Sequence, residues 1–417
     1  MTTGRRSTGW YLGLSGYWFA TSFKWFLVIP ALMPASVGEF FSKEEAPARL
    51  GLLVAIGGFW AIIGPSIFGF ISDRVRSKFG RRRPFLLAGA AVTVVGLMVL
   101  ANAPSYPILI LGFLVLQVGD DLAQGPYASL IPELVAKEQR GRASGAMGLL
   151  QLVAQVAGAG AGLALADHFK ILYLLIAGVH VACAAWTVLT VKERPAEARG
   201  RVSLRGFLRG WTLPWRSHDF RWVWGTRFMV ALGYYIIAEY LKYYLESWGV
   251  TLKLFGIVLG DGDNALRAVI VLAVTIAIFG TVSAVVGGYF ADRIGRKRVI
   301  YAAGFIMCVA VVPFIFITQY PALVVVSAVF GLGYGAYLSS DWALASDIMP
   351  SRDDLGKDMG IWQSSVPFTQ VIAGLLGLVV VWGNRLADGM GYRMLFAVAV
   401  VSFILGIVFI RKVRGST

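Results

Sequence analysis

Twelve stretches of mostly apolar residues constrain this chain more than any other feature. They lie at 17–37, 50–71, 85–103, 107–131, 143–166, 171–191, 222–246, 268–290, 299–318, 321–346, 361–382 and 394–410. A helix rises about 1.5 Å per residue, so each stretch fits the ~30 Å hydrocarbon core of a bilayer. Apolar and polar residues do not alternate within them, so transmembrane strands are not expected. Composition agrees: 57% of residues are hydrophobic and 15% charged, whereas a soluble domain carries about 45–50% and about 25%. The expected fold is an all-α polytopic membrane protein with twelve transmembrane helices.

The net charge of +15 would also suit a nucleic-acid binder. The placement of the charges argues otherwise. With the N-terminus inside, the segments on the inner face hold 28 Lys and Arg, and those on the outer face hold 7. Such an imbalance fixes topology, with both termini cytoplasmic and a basic inner surface suited to anionic lipid. No nucleic-acid partner is expected. Cys183 and Cys308 each fall inside an apolar run and are read as packing residues. No cleavable signal peptide is expected after Arg5 and Arg6, because the apolar run that follows is too long for one. The three histidines have no metal-ligand spacing, and no phosphate-binding loop or catalytic triad is present. No enzyme activity, cofactor or metal is expected, and Asp261-Gly262-Asp263-Asn264 is read as a turn.

One charged elbow occurs twice. Gly69 to Pro84 (GFISDRVRSKFGRRRP) joins two apolar runs, and Gly288 to Arg298 (GYFADRIGRKR) repeats it in shorter form. Both have G-x-x-x-D-R, then a glycine and a basic triplet, and Asp73 and Asp292 are 219 residues apart. A second echo pairs Arg140 to Gly145 with Leu355 to Gly360, both x-G-[RK]-x-x-G. Two echoes at similar offsets indicate two related halves. The expected division is a six-helix bundle at 1–191, a basic cytoplasmic linker at 192–221 and a second, pseudo-symmetric bundle at 222–417.

Twelve spans in two halves with this doubled loop resemble the major facilitator superfamily over essentially the whole chain. The long elbow DRVRSKFGRRRP and the Gln124-Gly125-Pro126 triplet resemble its glycoside–pentoside–hexuronide and sucrose-transporter branch. The resemblance implies alternating access by rocking of two halves, in a carrier that works as a monomer. It also implies that Asp73 and Asp292 latch the outward-open state by pairing with helix ends and nearby arginines. Arg74, Arg81, Arg293 and Arg296 are the gating candidates beside them.

Ionisable groups inside a bilayer are costly and mark a pathway or a partner pair. Here they gather on spans one, four, seven and ten: Lys24, then Asp120 and Asp121, then Arg227, Glu239 and Lys242, then Asp341. The resemblance makes those four spans the lining of the central cavity. Gln117, Asp121 and Gln124 share one helical face, as do Tyr334, Tyr337 and Asp341. Lys24 is the expected counter-ion of Asp120 or Asp121, and Glu239 and Lys242, three residues apart, can satisfy each other. The proton-coupling candidates are Asp120, Asp121, Glu239 and Asp341. The substrate-binding candidates are Lys24, Trp18, Gln117, Gln124, Tyr235, Glu239, Tyr334, Tyr337 and Trp362, since aromatic faces with polar tips suit sugars. The function expected is a proton-coupled carrier of a sugar or similar small polar solute in the cytoplasmic membrane. The alternative is a proton-coupled exporter of drugs or amphipathic compounds.

Overall fold

A computed structural model describes residues 6–42, 45–75, 77–165, 168–193, 203–260, 265–351 and 353–415. Its long helices are α1 (Thr8–Gly38), α2 (Ala46–Arg74), α3 (Arg83–Ala101), α4 (Tyr106–Leu134), α5 (Arg140–Ala164) and α6 (Phe169–Thr190). They continue with α7 (His218–Glu246), α8 (Leu266–Ile294), α9 (Arg296–Ile315), α10 (Tyr320–Ile348), α11 (Leu355–Asn384) and α12 (Met390–Lys412). Among the described residues, eleven of these helices are long and apolar enough to cross a membrane. The remaining long helix, α7, is 29 residues long but carries Arg227, Glu239 and Lys242.

Several spans are interrupted. A π-helical turn at Val28–Leu32 runs through Pro30 of α1. Pro65 lies inside α2 and Pro126 inside α4. α11 is broken after Gln363 and again after Leu375. Each proline removes one backbone donor, which loosens the helix there.

Small residues let helices within each half approach closely. A Cβ on Gly89 would lie 2.7 Å from the Ala123 side chain, and one on Gly96 would lie 2.5 Å from the Leu116 nitrogen. These contacts knit α3 to α4. The two halves meet along α2 with α11, and along α5 with α8 and α10. Since successive helices run antiparallel, both described ends of the chain lie on one face, called here the terminal face. There Asp219, at the start of α7, accepts the amides of Arg414 and Gly415 at 2.8 and 2.7 Å.

Two features were not expected. The loop after α7 forms a small antiparallel hairpin, β1 (Leu252–Leu254) and β2 (Ile257–Gly260). It turns on Phe255 and Gly256, both with positive φ, as a tight two-residue turn requires. The hairpin lies outside the spanning helices, so the all-α reading of the membrane part stands. Asp261 to Asn264, expected as a turn, fall outside the described residues.

The second unexpected feature is a short helix, Leu204–Trp211, between α6 and α7, capped by Ser203. Phe207 packs edge-on against Phe70 of α2, and the Trp211 indole donates to Ser66 at 3.2 Å. Its Gly210 faces the Lys357 ammonium of α11. The helix therefore straddles the α2–α11 seam on the terminal face. Just after α6, Glu193 accepts the backbone N–H groups of Arg81, Arg82 and Arg83 at 2.8, 3.0 and 2.9 Å. It satisfies the free donors at the start of α3. Burial pushes the Glu193 carboxyl up against the pull of these bonds.

Candidate functional site

In the first half, Lys24 of α1 and Asp120 of α4 form a buried ion pair. The Trp25 indole donates to the other Asp120 oxygen at 2.8 Å, and the Lys24 ammonium lies 4.6 Å from the Trp25 ring. Lys24 thus takes Asp120, not Asp121, as its partner. Asp121 points differently. One oxygen accepts from Gln117 at 2.9 Å, and the other is buried without a hydrogen bond. It faces Gly64 of α2, where an added Cβ would sit 2.3 Å from that oxygen. Gln124 lies on the same face, partly exposed.

The second half repeats the plan. Arg227 of α7 pairs with Asp341 of α10, both buried. Asp120 and Asp341 are 221 residues apart, close to the offset of the charged elbows. Each half therefore holds a cation from its first helix against a carboxylate from its fourth. Arg227 also donates to Gln363 at 2.9 Å, and its guanidinium lies 3.8 Å from the Trp362 ring. Sequence reasoning marked Arg227 as a buried charge without a role and Gln363 as a secondary candidate only, and did not pair them. Their partners lie 114 and 136 residues away, and no local spacing reveals them.

Aromatic rings close the seam between the halves. Trp18 stacks parallel to Tyr127 and meets Trp342 edge-on at 5.0 Å, and Trp342 meets Trp362 edge-on at 5.0 Å. The Trp18 indole donates to Gln151 at 2.9 Å. Tyr334 stacks on Tyr234 at 4.6 Å, and Tyr235 packs edge-on to Tyr234, so these two candidates belong to one aromatic cluster. Tyr337 is buried one turn from Asp341. Glu239 is half-buried, and the expected bond to Lys242 is not formed. Lys242 pairs instead with Glu246 at 3.3 Å, four residues on, where a helix brings the two side chains onto one face.

Toward the terminal face, both elbow aspartates reach across to the other half. Asp73 accepts the amides of Gly356 and Lys357, at the start of α11, at 3.0 and 3.1 Å. Asp292 accepts those of Gly141 and Arg142, at the start of α5, at 2.8 and 3.0 Å. Carboxylates at helix N-termini gain from free N–H donors and the helix dipole. Arg82 binds Asp73 at 2.6 Å and also Glu133. Arg296 lies 3.6 Å from Asp292 and also pairs with Asp347, which Arg140 binds at 2.8 Å. Arg74 pairs with Asp354 across the seam at 2.7 Å, while Arg81 pairs with Glu133 in its own half at 3.4 Å. Arg293 lies over Tyr289, 4.2 Å from the ring centre. It is correspondingly apart from the charge cluster expected to include it.

The family model described as MFS/sugar transport protein matches residues 45–408. A sucrose transport protein of Arabidopsis thaliana, SUC4, is 32% identical over 114 residues, 23% of this chain and 22% of that protein. The multi-drug resistance efflux pump PmrA of Streptococcus pneumoniae is 25% identical over 377 residues, 89% of this chain and 87% of the pump. Among solved structures, the E. coli fucose:proton symporter FucP superposes with a TM-score of 0.71 at 13% identity, covering 98% of both chains. The human organic anion transporter MFSD10 gives 0.71 at 15% identity, covering 96% of this chain and 98% of that one. With two six-helix bundles, paired elbows and a family match across most of its length, the chain belongs to the MFS/sugar transport protein family, and is a multi-pass membrane transporter.

Proposed function

We propose that this protein carries a sugar or similar small polar solute across the cytoplasmic membrane by alternating access, driven by protons, with both termini in the cytoplasm. The observation that carries the reading is the surplus carboxylate beside Lys24. One buried ammonium faces two adjacent acids, and one oxygen of Asp121 has no hydrogen bond. A sealed site does not hold an unpaired charge without a large cost, so a proton on one acid balances it. When the site opens to water, the proton can leave and the balance changes. Coupling then follows from charge neutrality. The elbow contacts at Asp73 and Asp292 hold the terminal face shut in the outward-open arm of the cycle, and the aromatic layer around Trp18 and Trp342 separates the solute from that face.

The test is proton uptake by liposomes holding the purified protein, under an imposed inward proton gradient. Added sugar is expected to acidify the lumen. Asp121→Asn is expected to abolish that acidification, while Asp120→Asn removes the direct partner of Lys24, leaves Asp121 as its only counter-charge and slows transport at least tenfold. A second reading, efflux of amphipathic compounds, is favoured by the similarity to PmrA across most of the chain. It takes over if sugars move no protons and lipophilic dyes do.

A further inference from the structure

Each half leaves buried polar groups without partners. In the first half they include one Asp121 oxygen, both ring nitrogens of His180 and the Tyr17 hydroxyl. Around Arg227 they are three N–H donors and the Tyr337 hydroxyl. The guanidinium gives Nη1 to Asp341 and Nη2 to the Gln363 carbonyl oxygen, but its Nε has no acceptor. The side-chain amide nitrogen of Gln363 has none, nor has the Trp362 indole nitrogen. All three residues are at least nine-tenths buried. Buried donors are ordinarily satisfied, so three adjacent orphans describe a missing acceptor. Nε and Nη2 form one edge of the guanidinium fork, and that edge fits the two oxygens of a carboxylate. The cluster sits at the seam, since Trp342 touches both Trp362 and Trp18 of the other half.

We propose that Arg227, Gln363 and Trp362 form a subsite for a carboxylate on the solute, which makes the cargo a small organic acid such as a sugar acid. This rests on the carrier reading above and narrows its substrate class. The incoming carboxylate takes the Nε edge of Arg227, displaces the Gln363 oxygen and receives the freed Gln363 amide and the Trp362 indole N–H. It shares the guanidinium charge with Asp341, which keeps Nη1, so loading weakens the pair that ties α7 to α10.

The indoles of Trp342 and Trp362 report on this site directly. Tryptophan fluorescence of the purified full-length protein is titrated with matched probes, glucuronate against glucose and benzoate against benzyl alcohol. The expected result is saturable quenching by at least one acid, at least tenfold tighter than by its neutral partner. Arg227→Gln should weaken that acid at least tenfold, with Arg227→Lys between the two. If Arg227→Gln fails to fold, the charge-balanced double variant Arg227→Gln/Asp341→Asn replaces it and should show the same loss. Equal affinity for acid and neutral partner, no saturable response to any acid, or an unchanged acid affinity in the folded variant overturns the subsite. Neutral sugars that carry protons in liposomes, with no acid binding, overturn it and leave the carrier reading intact. Acid binding without proton movement leaves the subsite standing and removes the coupling.

Discussion

Asp354 stands one residue ahead of α11 and reaches back to Arg74 in the other half. Burial pushes its carboxyl up, but hydrogen bonding and charge from Lys357, then Arg74, outweigh that and hold it below its ordinary range. A depressed carboxylate stabilises the folded state above its unfolded pKa and loses that contribution as pH falls through the folded one. Asp354→Asn should therefore cost about 1 kcal/mol near neutral pH. Parent and variant should converge as pH falls through the depressed folded-state pKa, below the ordinary carboxylate range, as thermal unfolding in nanodiscs across pH would show. A difference that persists in acid would mean the residue acts by packing. Some residues of this kind were legible from sequence. Lys24, Asp120 and Asp341 stand out because charge on an apolar helix is rare, and Asp73 and Asp292 because their elbow repeats. Their partners were less so. Glu133, Glu193 and Arg140 occupy segment ends where charge is ordinary, and only folding brings them to Arg82, the α3 start and Asp347.

At the scale of elements, the seam depends on glycine. A Cβ on Gly69 of α2 would lie 2.1 Å from the carbonyl oxygen of Gly356 on α11. That atom is backbone and cannot swing away, so Gly69→Ala should push α2 from α11 on the terminal face. Spin labels on the two helices should report a longer, broader distance distribution. Gly9→Ala, where nothing lies within 4 Å, should leave it unchanged. Helix number and order followed from apolar run length, because the bilayer sets that length. The breaks in α11, the hairpin and the helix at Leu204–Trp211 did not. Each is shorter than the period on which run-length arguments depend. The last is defined by what Phe207 and Trp211 touch on α2.

Over the whole molecule, the two elbow contacts act together. Asp73→Asn and Asp292→Asn each remove a charge that accepts two amides of the facing helix, while Arg82 and Arg296 keep Glu133 and Asp347 as partners. The double variant should shift the population toward opening at the terminal face, visible as a longer distance between labels on α2 and α11 and between labels on α5 and α8. If both distances stay as in the parent, the elbows set topology only. The contacts also have a reciprocal form. The first half offers the Asp73 carboxylate and the α5 N-terminus, and the second offers the Asp292 carboxylate and the α11 N-terminus. Each half is both plug and socket, as in the isologous face of a twofold dimer. A single six-helix unit of this design already holds both parts needed to clasp a copy of itself. The covalent join between halves then serves mainly to raise their local concentration, and halves made as separate chains should still find one another in the bilayer.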